Sequence, residues 1–195
     1  MDVPLCTDQS FADQVQKEHH EGVSPFLSLQ VDLISSLPLD YMHLVCLGVV
    51  QKLLLRCLKE PVPYRQPSLQ TRSLPAHLTE LKHISPSEFN HPPQSLELIE
   101  NWKATKFHAF LLYWGPSVLY HILDDQKYYP FLLLHTAIFI FGSKSLTVEF
   151  MGGAEVLFCD FVSQARSLYG KSFLVYNVHG LIHLASDARI HGRCF

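Results

Sequence analysis

The stretch 128–141 is apolar on nearly every side. A helix with no polar face has to lie inside a protein, so other apolar elements must surround it. The longest apolar run, 131–141, is interrupted by His135 and falls short of the ~20 residues that a membrane span needs. These residues therefore predict a buried central helix, with Gly142 as its stop signal. With 48% apolar and 17% charged residues, a chain of 195 residues has the material to build the surrounding core. That length corresponds to one domain or a piece of a larger one.

The surrounding elements also read as helices. After Asp40, the residues Met42, Val45, Cys46, Val49, Val50, Leu53, Leu54 and Cys57 recur at spacings of three and four. That helix ends by Glu60, ahead of Pro61 and Pro63. A weaker helix is expected over 69–81, broken at or starting from Pro75, and Ser85-Pro86-Ser87-Glu88 has the form of a capping box opening a short turn. Ser95 caps a long helix whose stripe is Leu98, Trp102, Phe107, Phe110, Leu111 and Trp114, kinked or broken at Gly115-Pro116. Residues 146–169, weakened at Gly152-Gly153 and stopped by Gly170, and residues 173–190 complete the set. Strict alternation is nearly absent. The one extended stretch is expected before Asp40, because Pro38 disfavours helix at Leu37. Residues 1–24 are a polar arm.

A net charge of −3 argues against a free-standing nucleic-acid binder. The five cysteines are far apart with no C-x-x-C pair, and Cys46, Cys57 and Cys159 sit in apolar runs, which suggests buried thiols in a reducing compartment. The first ten residues carry neither a basic nor an apolar signal region. The expectation from these residues is an intracellular protein, neither secreted nor membrane-bound.

Asp40 and His43 form a D-x-x-H where an X-Pro approach gives way to the helix. At i, i+3 in a first turn the two side chains are neighbours. Asp40 could ligate a divalent cation with His43 beside it. It could equally be an ordinary N-cap with a half-buried histidine, and caps are much the commoner case. His179 and His183, with Asp187 four residues on, share one helix face and could take Zn²⁺. The Glu of H-E-x-x-H is missing, and a polar seam is the plainer reading. The aromatic cluster Trp102, Phe107, Phe110, Tyr113 and Trp114, near Lys103 and Lys106, could stack bases, but its helical period favours a core. No P-loop, dinucleotide or nucleophile-elbow motif is present.

Three blocks carry a family resemblance: LPLDYMHLVCLGVVQKLL, SLELIENWKATKFHAFLLYWGPSVL and LYGKSFLVYNVHGLIHLASDA. Together with the arm TDQSFADQVQKEHHEGVSP they resemble, in order and spacing, transposase-derived proteins of the EnSpm/CACTA group, over residues ~7–191. The resemblance implies cut-and-paste transposition on DNA by an RNase H-like core holding two Mg²⁺ ions through three acidic residues. It implies Asp40 as a candidate catalytic residue and Mg²⁺ ligand, and His43 as its candidate catalytic neighbour. The helical stretch 68–190 fits the insertion that follows the second acidic position in such enzymes.

The departures shape the expectation. The chain begins after the family's C-x-x-C block and first acidic residue. It ends in His191-Gly192-Arg193-Cys194-Phe195, with no match to the family's final glutamate. At most one of three carboxylates is assigned, too few to hold two Mg²⁺ stably. The expected fold class is therefore mainly α, a multi-helix insertion-type domain and a fragment of an RNase H-like transposase. Its expected parts are the arm over 1–24, the edge of a nuclease-like core over 25–66 and a helical domain over 67–195. The expected function is a catalytically incomplete transposase-derived protein; the alternative is a domesticated module that binds protein or DNA without chemistry. Unpaired apolar surface over 25–45 predicts self-association into a homo-oligomer.

Overall fold

In the computed structural model the described residues are 7–15, 17, 21–29, 31–60, 95–143 and 148–192. Within them the chain forms α1 (Asp8–Ala12), α2 (Gln51–Leu58), α3 (Ala104–Ala109), α4 (Gly115–Tyr120), α5 (Asp125–Gly142), α6 (Val148–Tyr169) and α7 (Tyr176–His191). Two π-helical segments, Met42–Val50 and Phe110–Trp114, lead directly into α2 and α4. Short 3₁₀ turns cover Pro25–Leu29, Leu96–Asn101 and Lys171–Phe173. The helix expected over 69–81, the capping box at 85–88, the proline stops at 61 and 63, His19-His20, Cys6 and Cys194 lie outside the described residues.

The central helix is α5. Asp124 caps it, its Oδ1 accepting from the Lys127 N–H at 3.0 Å. Its buried side chains include Phe131, Leu134, Ala137, Ile138 and Phe141. It packs chiefly on α6, where Phe141 meets Phe158 edge to face at 6.4 Å, and α6 packs in turn on α7. α6 runs unbroken through Gly152-Gly153 and stops at Gly170, whose φ of 78° suits a residue without Cβ. Each fully buried Leu or Phe contributes about 1.5–3 kcal/mol through apolar burial. The Met42–Val50 segment lies against both α3 and α7, and Leu44, Val45, Cys46, Val49 and Val50 join the same apolar core as α5 to α7. None of the helices among the described residues is long and apolar enough to cross a membrane.

Three expectations need correction. The extended segment before Asp40 is not a strand, since residues 33–37 are turn and bend and no strand occurs among the described residues. The cause is visible in the arm. Asp8 Oδ1 accepts from the Ile34 and Ser35 N–H groups at 2.6 and 3.1 Å, and Ser36 N–H bonds the Asp32 carbonyl. Those amides are thus taken by a turn and an acidic side chain rather than by a ladder.

The long helix expected from Ser95 is the second. Ser95 does cap, accepting from the Glu97 N–H at 3.2 Å, but Trp102 and Lys103 adopt extended dihedrals and divide the stretch. The break places the Trp102 ring 5.4 Å from Phe107 and 5.6 Å from Phe110, and burial of that indole outweighs two residues of helix. Leu98, placed in the apolar stripe by its spacing, is exposed as a result.

The third is the ladder itself. The Gly115 N–H bonds the Phe110 carbonyl, five residues back. The Leu111 carbonyl has then lost its α-type partner, and its π-type partner would be Pro116, which has no N–H. His135 of α5 fills the gap, its Nδ1–H donating to the Leu111 oxygen at 2.8 Å. One proline therefore accounts for both the widened turn and the histidine in an otherwise apolar helix.

Candidate functional site

Asp40 sits at the mouth of the Met42–Val50 segment and uses both carboxylate oxygens locally. Oδ1 accepts from the Met42 N–H at 2.8 Å and the His43 N–H at 3.3 Å. Oδ2 meets His43 Nδ1 at 2.5 Å. The hydrogen bond from the His43 side chain, reinforced by the two backbone donors, holds the Asp40 carboxyl below its ordinary 3.8. In the neutral imidazole this contact puts the proton on Nδ1 and leaves a lone pair on Nε2. The His43 side chain is 76% exposed, so that nitrogen faces solvent.

The approach to Asp40 is fixed from the far end of the chain. Asp187 of α7 accepts from the Leu39 N–H through Oδ2 at 3.0 Å. Gly48 lies against Asn177, where a Cβ would come within 2.7 Å of the Asn177 Cβ, and Gly180 lies against Leu44. The Asp40 helix and α7 thus cross at the spacing glycine permits.

Beneath the cap lies a buried polar chain. The Tyr41 hydroxyl is 2.8 Å from His108 Nδ1, and the buried Cys46 thiol lies beside the same hydroxyl. Burial holds the His108 imidazole below its ordinary value and pushes the Cys46 thiol up to about 11. Burial thus favours the neutral ring, and in the tautomer protonated at Nε2 its Nδ1 accepts from the Tyr41 hydroxyl. Sequence reading missed this trio. Tyr41 stands inside the D-x-x-H itself, but His108 is 67 residues away and no local spacing links them.

His179, His183 and Asp187 do share one face of α7, with the two Nε2 atoms 3.3 Å apart. Cys46 and Cys57 are buried thiols, and Cys57 Sγ contacts the Tyr169 hydroxyl at 3.3 Å; Cys159 is exposed, against expectation, on the outer side of α6. Trp102, Phe107, Phe110 and Trp114 are core residues, while Tyr113 is exposed. A shallow groove of about 500 Å³ between α5 and α6, lined by Asp125, Tyr129, Ser163, Gln164 and Ser167, does not touch the Asp40 group.

No protein-family model, no curated protein and no solved structure matches this chain.

The site can therefore be tested only on its own atoms. Mg²⁺ takes about six oxygens in near-octahedral array, and a two-ion centre needs several carboxylates on a shared point. Among the described residues no three His, Cys, Asp or Glu side chains converge. Asp40 offers one carboxylate, already engaged by two amides and one imidazole.

Proposed function

We propose that this chain is a transposase-derived helical module, related to the EnSpm/CACTA group and catalytically incomplete by itself. The kinship rests on the ordered sequence blocks; the mainly helical architecture is compatible with an insertion-type domain. The observation that carries the catalytic half of the reading is the engagement of Asp40. Its Oδ1 caps the first turn and its Oδ2 orients His43, which is what a structural aspartate does. The decisive assay is nicking of supercoiled plasmid by the purified chain with Mg²⁺. The expected outcome is no cleavage above buffer, with Asp40→Ala indistinguishable from the parent. Cleavage by the parent that vanishes in Asp40→Ala would restore the nuclease reading.

A second reading, a non-enzymatic interaction module, draws support from the surface. Phe26, Leu29, Val31, Ile34 and Leu37 are all exposed just ahead of Asp40. A run of apolar side chains in solvent marks a surface that is covered in the working state. DNA remains the partner the resemblance implies, but a net charge of −3 supplies little of the phosphate neutralisation that drives such binding. A protein partner, including a second copy, fits the surface better.

A further inference from the structure

α7 carries a pair of donors that the reading above leaves unused. His179 and His183 stand one turn apart, and their Nε2 atoms lie 3.3 Å from each other. Their rings meet at 70° with centroids 5.1 Å apart. An imidazole nitrogen binds Zn²⁺ at about 2.0–2.1 Å in tetrahedral array, which sets two such nitrogens about 3.3–3.4 Å apart. The observed separation matches that bite. We propose that His179 and His183 form a two-imidazole chelate for a divalent cation of the Zn²⁺ class, with water in the remaining positions.

The chemistry of the pair supports this. In the contact between the two rings one Nε2–H donates to the other Nε2 lone pair; when that ring takes the tautomer protonated at Nδ1, both Nε2 lone pairs are free and a cation satisfies both nitrogens. The scaffold is rigid: Val178, Leu181 and Leu184 are buried, and Asn177 and Asp187 pin the helix to the Asp40 segment. Little ordering remains for binding to impose. Imidazole donors select Zn²⁺, Ni²⁺ and Cu²⁺ over Mg²⁺ and Ca²⁺. Asp187 is one turn further on but holds the Leu39 N–H, and no third described donor joins the pair. The site is therefore open and exchangeable rather than a closed structural centre.

The chain has 12 histidines, so the test reads a difference. Isothermal titration of the full chain with ZnCl₂ at pH 7.5 compares the parent with His179→Gln, His183→Gln and, as a control on the same helix, His191→Gln. The parent and His191→Gln should each bind one more Zn²⁺ than the other two. Affinity at that site should fall about tenfold or more at pH 5.5, as protons compete for the imidazoles. His179 is exposed, so His179→Gln should keep the parent's far-ultraviolet dichroism. MgCl₂ should show no difference among the four. Equal Zn²⁺ stoichiometry and affinity in all four proteins overturns the proposal, and so does a parent that binds no Zn²⁺.

Discussion

Removing the Asp40 carboxylate strands the Met42 and His43 amides at the start of a helix that carries eight core residues down to Cys57. An N-cap lost to alanine costs about 0.5–2 kcal/mol, whereas asparagine keeps an acceptor oxygen. Urea denaturation should show Asp40→Ala destabilised by about 1 kcal/mol and Asp40→Asn nearly neutral. Equal losses in the two would mean that charge, not capping, is what the site uses. The cap could be read from sequence because it is local: an aspartate two and three residues from the amides it serves. The clamp from Asp187 to Leu39 could not, since 148 residues separate the partners. His108 gives the second prediction at this scale. Burial lowers its folded-state pKa below the ordinary 6.5, so the fold favours the neutral ring. That stability is fully present above pH 6.5 and drains away as pH falls through the lowered value. The stability difference between the parent and His108→Gln should be flat above pH 7 and shrink on acidification. A difference that grows with acid would mean that the fold favours the charged ring, with Nδ1–H donating to the Tyr41 hydroxyl.

Between elements, the crossing of the Met42–Val50 segment with α7 leaves little room for added side chain. A methyl at Gly48 would meet the Cβ of Asn177 at 2.7 Å, an atom fixed to that residue's backbone that no rotamer change can move away. A methyl at Gly180 would meet only the terminal Cδ1 of Leu44 closely, a flexible end. Overpacking costs about 1–3 kcal/mol where neighbours cannot yield. Thermal unfolding should therefore place Gly48→Ala well below the parent and Gly180→Ala closer to it. The reverse order would show that the helices separate at the Gly48 end. Sequence spacing revealed that both segments are helical, because threes and fours repeat in either ladder. It could not reveal that the hydrogen bonds run five residues back, since an apolar stripe of eight or nine residues looks alike in both. It also could not reveal the break at Trp102, where a tertiary aromatic cluster decides the backbone.

At the scale of the molecule, one core gathers residues from Tyr41 to Ala188, yet the segment leading to it is left outside. Phe26, Leu29 and Leu37 are each about 60% exposed, at 59%, 62% and 61%. The turn that Asp8 imposes on residues 34 and 35 prevents this segment from hiding its side chains in a sheet. A net charge of −3 adds only weak repulsion between copies. Apolar burial at roughly 25 cal/mol per Å² then favours pairing of these surfaces once protein concentration offsets the loss of free tumbling. Sedimentation velocity across a hundredfold concentration range should show a rising weight-average mass for the parent. The triple substitution Phe26→Ser, Leu29→Ser and Leu37→Ser touches no buried position and should return the chain to a monomer without lowering its melting temperature. A parent that stays monomeric throughout would remove the support for the interaction reading. A variant that still associates would move the contact elsewhere, and the exposed face of α6 with Phe150 and Val156 would be the next surface to substitute.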